Sequence, residues 1–183
     1  MLAAGIFPAD VSPGTADRPQ MSLMPAISAP FDEFRGQVLP EWIDYNGHMN
    51  LAYYVVLFDQ ATDLLFDRLD LGLDYRRRTG KGTFVAETHT LYESELLVGA
   101  RVRVATQILG SDDKRLHLAH EMFEIGGDKR AAAQELMFLH VDLVARRVCP
   151  FLPELGERIA AWTAAHKTLP RPTWVGRRIA MPD

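Results

Sequence analysis

The chain has 183 residues, 48% of them hydrophobic, and a formal net charge of −4. This length and composition favour one domain with a substantial core, and the negative charge excludes a global attraction to nucleic acid or anionic membranes. No apolar run reaches the roughly 20 residues of a transmembrane helix, and a single cysteine excludes an internal disulfide. We therefore expect a cytoplasmic protein that binds neither nucleic acid nor membrane.

The first 30 residues are rich in Pro, Ala and Ser and have no steady periodicity. They predict a loosely ordered extension over 1–30, followed by a single domain over 31–183. The first element of that domain is a short strand predicted at 34–38, which ends before Pro40.

The second predicted element is a long amphipathic helix. Its apolar side is marked at three- and four-residue spacing by Leu51, Tyr54, Val55, Phe58, Thr62, Leu65 and Leu69. Asn50 suits the N-cap of this helix, and Gly72 suits its C-terminal stop. The helix is therefore expected to run for about five turns.

After the helix, the hydrophobic period changes to two. The alternation predicts strands at 83–91, 101–108, 116–123 and 132–143, separated by Gly- and Asp-containing turns. Val85, Glu87, His89 and Leu91 are expected on one face of the first of these strands. A closing helix is predicted at 152–167, with an extended tail after Pro170. This order predicts an α+β fold with an antiparallel sheet that covers the long helix.

The junction between the first strand and the helix brings together polar groups suited to carbonyl chemistry. Asp44, Gly47 and His48 lie in one turn directly before a helix that begins at Leu51. The first-turn amides of a helix have no partner within the helix and carry a partial positive charge. A carboxylate beside such donors can attack, or direct water at, a carbonyl whose oxygen the donors hold. Asp44 as a simple turn residue and Asn50 as a simple helix cap are the structural alternatives.

These residues resemble a known family. The motif resembles the hotdog-fold acyl-CoA thioesterases of the 4-hydroxybenzoyl-CoA thioesterase type over Asp44-Tyr-Asn-Gly-His-Met-Asn50, Tyr53-Tyr54 and Phe58-Asp59-Gln-Ala61. The resemblance covers about residues 34–145. Three longer phrases are similar to the betainyl-CoA thioesterases of carnitine degradation, and to the thioesterase part of some carnitine dehydrogenases: Glu41-Trp-Ile-Asp-Tyr-Asn-Gly-His-Met49, Glu87-Thr-His89 and Asp113-Lys-Arg-Leu-His117.

The resemblance implies a hotdog fold, in which an antiparallel sheet wraps around one long central helix. It implies hydrolysis of a small acyl-CoA, with betainyl-CoA as the best candidate and other short, medium-chain or aroyl-CoA esters as alternatives. Asp44 would be the nucleophile or general base, and a backbone amide near Leu51 would hold the oxyanion. His48 would bond the thioester carbonyl or position Asp44, unless it is only structural. Sites between protomers imply a homodimer or homotetramer, and no cofactor is expected beyond the coenzyme A of the substrate.

A betainyl group carries a quaternary ammonium, which favours aromatic faces and negative charge. The candidate substrate-binding residues around the motif and on the following strand are Trp42, Tyr45, Tyr53, Tyr54, Glu87 and His89. Glu93 shares a strand face with Glu87 and His89 by alternation, and this face either lines the acyl pocket or is a polar outer face. The candidate partners of the coenzyme A phosphates are Lys114 and Arg115, with Arg146-Arg147 and Arg76-Arg77-Arg78 as further possibilities.

Three other interpretations remain open from the sequence. Asp59 or Asp63, in the middle of the helix, is the alternative catalytic carboxylate. Hydration of an enoyl-CoA is disfavoured, because hotdog hydratases have an Asp-x-Asn-Pro-x-His pattern and this chain lacks the proline. The third interpretation is a non-catalytic acyl-CoA binding module, which would bind its ligand in the same groove as a thioesterase.

No metal site is expected, because His117 and His120 should point to opposite faces of a strand and the other histidines lie in separate elements.

Overall fold

The computed structural model describes residues 27–127 and 129–181. Nine helices and strands occur in the described residues, with a short 3₁₀ helix at Pro40–Trp42 after the first strand. In chain order they are β1 (Phe31–Gln37), α1 (Leu51–Arg68), α2 (Leu73–Thr79), β2 (Lys81–Tyr92), β3 (Arg101–Ser111), β4 (Arg115–Glu124), β5 (Arg130–Asp142), β6 (Arg147–Val148) and α3 (Pro153–His166). The five larger strands and the two longer helices occur close to their predicted bounds, whereas α2 and β6 were not predicted.

The strands form one antiparallel sheet in the order β1-β3-β4-β5-β2, with β6 paired to the end of β5. Helix α1 packs against the inner face of this sheet, where Phe58 and Leu65 are fully buried. Phe58 packs with Val104 and Met122 of the sheet. The predicted α+β hotdog fold, one long helix covered by an antiparallel sheet, is confirmed.

The stop of α1 differs from the prediction. The helix ends at Arg68, and Asp70 then adopts a left-handed conformation with φ of 55°. Aspartate tolerates this conformation better than most residues. Gly72 instead precedes α2, a seven-residue helix whose short, charged sequence has no marked apolar periodicity. The prediction that Gly72 ends the long helix was therefore wrong.

A β-bulge in β2 changes which side chains share a face. Val85 pairs with Phe138, but Glu87 pairs with Met137, so Ala86 is the extra residue. Val85 consequently points to the same face as the buried Phe138 and the helix. Glu87 points to the outer face of the sheet, as His89 and Leu91 do by alternation. The prediction that all four share one face was wrong for Val85.

The chain after α3 covers part of the outer face of the sheet. Trp174 is buried there against Ala119 and Ala133, and its indole N–H donates to Glu121 at 3.0 Å. The sequence predicted an extended tail but not this contact. The tail therefore separates part of the outer face from solvent.

The predicted extension at 1–30 lies almost wholly outside the described residues. At residue 28 the chain is already packed, because the main-chain carbonyl of Ser28 accepts a hydrogen bond from His166 at 2.9 Å. The domain division at residue 30 stays a prediction. Among the helices of the described residues, none is long and apolar enough to cross a membrane.

Candidate active site

The motif that precedes α1 folds into a tight, closed loop. Its ends are held by an isolated antiparallel bridge between Ile43 and Met49. The Asp44 amide donates to the His48 carbonyl at 3.1 Å, and the Gly47 amide donates to the Asp44 carbonyl at 3.0 Å. Gly47 has φ of 84°, a conformation that glycine adopts without a steric penalty. This geometry fixes the position of Asp44 next to the helix start.

The two carboxylate oxygens of Asp44 have different hydrogen-bond partners. Oδ1 accepts the Asn46 amide at 2.8 Å, which is the local turn that aspartate commonly forms. Among the described residues, no hydrogen bond engages Oδ2. The role of Asp44 as a turn residue thus explains the contact of Oδ1, whereas Oδ2 is free to contact a ligand or solvent.

The first turn of α1 leaves one amide without an acceptor. The Asn50 side chain accepts the Ala52 amide at 3.0 Å, and the Asn50 carbonyl accepts the Tyr53 amide at 3.0 Å. The Leu51 amide has no acceptor in the part of the chain that the structure describes. Asn50 is the predicted N-cap. Because it accepts the amides of Ala52 and Tyr53, the Leu51 amide is the donor that stays free at the positive end of the helix.

These groups line one pocket with a volume of about 480 Å³. Its walls are Asp44, Tyr45, Asn46, His48, Met49, Asn50, Leu51, Tyr54, Tyr92, Glu93, Ser94 and Glu95. The four predicted catalytic residues therefore converge, and Asp44 and Leu51, which carry the carboxylate and the free amide, border the same space. A carbonyl bound here would face both an acid–base group and a hydrogen-bond donor.

His48 is half-buried in this pocket. Its Nδ1 lies 3.4 Å from the Met49 carbonyl oxygen, a long contact that holds the ring only weakly. The ring can therefore turn toward a ligand in the pocket. Both predicted roles, contact with the thioester carbonyl and orientation of Asp44, stay predictions.

The four candidate aromatic residues separate into two groups. Trp42 and Tyr53 stack on each other with centroids 5.0 Å apart and pack against the core, outside the pocket. Tyr45 and Tyr54 line the pocket, although Tyr45 is 97% exposed and touches little of the protein. The Tyr54 hydroxyl donates to the Ser94 carbonyl at 3.1 Å, and burial raises the pKa of this phenol.

Most of one wall of the pocket was missed from the sequence, where only Glu93 of its four residues had been considered as a lining residue. Tyr92, Glu93, Ser94 and Glu95 follow the end of β2, and Tyr92 meets Tyr54 edge to face with centroids 5.3 Å apart. The Met49 amide donates to the Leu96 carbonyl at 2.8 Å and so joins this segment to the motif. The strand alternation led to Glu93, and the local signal for the rest of this wall was a pair of carboxylates, Glu93 and Glu95, where the alternation stops.

Glu87 and His89 lie elsewhere. The β2 bulge directs them to the outer face, where they line a separate pocket of about 300 Å³ with His117, Glu135 and the C-terminal tail. His117 Nε2 and a carboxylate oxygen of Glu135 form a hydrogen bond of 2.7 Å in that pocket. Within one chain, the structure does not bring Glu87 or His89 to the Asp44 pocket.

The basic candidates are also distant from Asp44 within one chain. Lys114 and Arg115 lie at the start of β4, at the end of the sheet opposite the Asp44 pocket, and Arg115 pairs with Asp112 at 2.6 Å. Arg76 and Arg146 line a third pocket of about 610 Å³, beside the start of β2.

The alternative carboxylates lie on the exposed side of α1. Asp63 lines the third pocket, not the Asp44 pocket, and burial together with repulsion from Asp59 and Asp67 raises the pKa of its carboxyl group. Asp59 lines neither pocket. Among the described residues, no cluster of three or more His, Cys, Asp or Glu side chains could hold a metal ion.

Comparison with known proteins decides the family. The profile of the thioesterase-like superfamily matches residues 38–159, which include the closed loop, α1 and the whole Asp44 pocket. This chain belongs to the thioesterase-like superfamily. The fold and the hydrolase class that the sequence motif predicted are thereby confirmed.

Several members of the thioesterase-like superfamily are similar over most of the chain. The betainyl-CoA thioesterase of Pseudomonas aeruginosa is 43% identical over 145 residues, which are 79% of this chain and 91% of that protein. The L-carnitine dehydrogenase/betainyl-CoA thioesterase of Ruegeria pomeroyi is 37% identical over 168 residues. That alignment covers 92% of this chain but 32% of the longer protein.

Solved structures of this superfamily have the same fold. A hypothetical protein of Staphylococcus aureus, characterised in complex with CoA, aligns with a TM-score of 0.79 at 30% identity over 85% of this chain and 98% of that one. A putative thioesterase of Pseudomonas putida aligns with a TM-score of 0.72 at 36% identity, over 85% and 99% of the two chains.

Proposed function

We propose that the protein hydrolyses betainyl-CoA to betaine and coenzyme A at the Asp44 pocket. The observation that carries this proposal is that Asp44 and Leu51 line one pocket, while Oδ2 of Asp44 and the amide of Leu51 have no hydrogen-bond partner among the described residues. The name of the Pseudomonas aeruginosa relative, 43% identical, supports the choice of acyl group.

The proposed reaction begins with the thioester carbonyl oxygen on the Leu51 amide. Asp44 attacks the carbonyl carbon, or removes a proton from a water molecule that attacks it. The C–S bond then breaks, and coenzyme A leaves as a thiolate, which takes up a proton. If Asp44 attacks and an acyl-aspartate forms, a water molecule then hydrolyses it to the free acid and releases the Asp44 carboxylate. A donor aimed at a developing oxyanion contributes about 3–4 kcal/mol to the stability of the transition state.

The substrate itself assists this reaction. The quaternary nitrogen of a betainyl group is bonded to the carbon next to the carbonyl, so it withdraws electron density from the carbonyl carbon. The thiolate is a good leaving group that needs little acid catalysis. We therefore propose that no cofactor takes part, and the cytoplasmic location expected from the sequence stays a prediction.

A homodimer joined through β2 is part of the proposal. Strand β2 lies at the edge of the sheet, with β5 as its only neighbour among the described strands. Phe84 and Val85 on this edge are 53% and 47% exposed, and Leu51, Val55 and Val56 of α1 are also exposed. An exposed apolar strand edge favours pairing with another strand. Two copies of β2 in antiparallel pairing would cover these side chains symmetrically.

This pairing supports a composite binding site for the coenzyme A moiety. Antiparallel pairing places the end of one β2, which borders the Asp44 pocket, beside the start of the other. Arg76 and Arg146 line the pocket at that start. An acyl-CoA held by Asp44 of one copy would thus direct its phosphates to Arg76 and Arg146 of the second copy. The similarity to a Staphylococcus aureus protein characterised with CoA supports this ligand class.

A screen of thioesters tests the proposed function. The purified protein is assayed by release of free thiol from betainyl-CoA, butyryl-CoA, palmitoyl-CoA and benzoyl-CoA. We expect the highest kcat/KM for betainyl-CoA. A clear preference for an uncharged acyl chain would overturn the substrate, and binding of all four esters without thiol release would favour a non-catalytic module.

A further inference from the structure

We propose that Glu95 and Tyr92 form the subsite that selects a quaternary ammonium in the acyl group. This inference rests on the proposed function and assigns the acyl specificity of the same pocket. Both residues line the Asp44 pocket, and both lie in the segment after β2.

The chemistry of the substrate limits where such a subsite can be. In a betainyl thioester the charged nitrogen is two bonds from the carbonyl carbon. The groups that hold the ammonium must therefore line the same pocket as Asp44 and the Leu51 amide. Glu87 and His89 are excluded by their position on the outer face, and the stacked pair Trp42 and Tyr53 lies outside the pocket.

The charge of the pocket favours a cation. It is lined by Asp44, Glu93 and Glu95, and no Lys or Arg of the described residues lines it. Both oxygens of Glu93 accept hydrogen bonds from Arg130 at 2.8 Å, so this carboxylate is already neutralised. Glu95 is exposed and forms no ion pair within the described chain. Because Asp44 acts on the carbonyl carbon in the proposed reaction, Glu95 is the carboxylate that remains available to a cationic acyl group.

Aromatic faces complete the subsite. Tyr92 is 45% exposed and lies edge to face against Tyr54. The hydrogen bond of Tyr54 to the Ser94 carbonyl fixes this second ring and the segment that carries Glu95. A trimethylammonium group is poorly hydrated and is attracted to the face of an aromatic ring. Tyr92 would supply that face, while Glu95 supplies the opposite charge.

A neutral isostere provides the test. In 3,3-dimethylbutyryl-CoA a quaternary carbon replaces the nitrogen, so shape is kept and charge is removed. The measured quantity is the ratio of kcat/KM for betainyl-CoA to kcat/KM for 3,3-dimethylbutyryl-CoA. We expect Glu95→Gln to lower this ratio by about tenfold or more, since it removes one charge from the contact. Tyr92→Leu should lower it as well, and Tyr92→Phe should restore it because the ring face remains.

Glu157→Gln is the matched control, because Glu157 is an exposed carboxylate on α3 outside the pocket and should leave the ratio at its wild-type value. An unchanged ratio in Glu95→Gln would overturn the subsite. Wild-type hydrolysis of the neutral ester without hydrolysis of betainyl-CoA would also overturn it, while thioesterase activity would stand. If neither ester is hydrolysed, the hydrolase proposal fails, and calorimetry then measures the binding of the same two esters. A preference for betainyl-CoA that Glu95→Gln abolishes would support the subsite. Equal binding of the two esters would overturn the subsite as well.

Discussion

His120 is fully buried on the inner face of the sheet between two hydroxyl groups. Thr62 donates to the Phe58 carbonyl at 3.0 Å, so its oxygen accepts from His120 Nε2 at 2.9 Å. Nδ1 then accepts the Thr106 hydroxyl at 2.8 Å, and the ring stacks on Phe58. Burial lowers the pKa of His120 to about 3, so the ring stays neutral in the folded protein. No step of the proposed reaction uses it.

This histidine makes stability depend on pH. The folded pKa lies below the unfolded value of about 6.5, so the unfolded chain binds a proton that the folded chain excludes. The free energy of unfolding should therefore fall by about 2 kcal/mol between pH 7 and pH 5. Urea unfolding at fixed protein concentration measures this. The replacement His120→Gln keeps a donor and an acceptor and should flatten the profile. Part of the slope should remain, because burial also lowers the pKa of His140 and His166.

At the scale of the residue, the sequence could relate candidate site residues to one another only where the signal was local. Asp44, Asn50 and Leu51 are neighbours in the chain, and cap chemistry relates them without tertiary information. Glu95 and Tyr92 could not be assigned in that way. They reach the motif only because the Met49 amide pairs with the Leu96 carbonyl, a contact between segments nearly 50 residues apart.

At the level of elements, the start of α1 determines the geometry of the site. The Asn50 cap removes the Ala52 amide from the set of free donors and fixes the first helical residue. The same periodicity that predicted α1 could not predict the bulge at Ala86, because a bulge is defined by the register with β5. Because of that bulge, alternation from Val85 does not predict the outer face on which Glu87 lies within one chain.

Loss of the cap should cost stability. Asn50→Ala leaves the Ala52 amide without its acceptor and should lower the free energy of unfolding by about 1 kcal/mol. Asn50→Ser retains a side-chain oxygen and should recover most of this loss. Denaturant unfolding of the three proteins measures the effect, and equal stability of Asn50→Ala and the wild type would show that the cap contributes nothing.

At the scale of the whole molecule, the exposed edge of β2 and the positions of the basic residues both favour a dimer. The Asp44 pocket and the pocket of Arg76 lie at opposite ends of β2 in one chain. The sheet and the long helix can be predicted from the sequence alone, because the hydrophobic periods of strands and helices are local properties of the chain. The sequence alone does not predict the proposed composite site, which would depend on two copies of the chain.

The dimer and its coenzyme A contact can be tested together. Analytical ultracentrifugation should give twice the 20.6 kDa mass of one chain, or a multiple of that dimer. Arg76→Gln should raise KM for betainyl-CoA about tenfold, as expected for a lost charged hydrogen bond. It should leave KM unchanged for the betainyl thioester of N-acetylcysteamine, which has no phosphates. Arg77→Gln, on the same helix but outside the pocket, is the control. An equal effect on both thioesters would contradict a phosphate contact.

The most direct test of the account is thioester turnover by Asp44→Asn, compared with Asp63→Asn. Both variants should keep the wild-type circular dichroism, since Asn46 and the surrounding turn tolerate an amide oxygen at residue 44. We predict that Asp44→Asn lowers kcat for betainyl-CoA by about a hundredfold or more, because it removes the nucleophile or general base. Asp63→Asn should retain most of the activity. Full turnover by Asp44→Asn together with loss of turnover in Asp63→Asn would contradict the assignment and move the chemistry to the middle of α1.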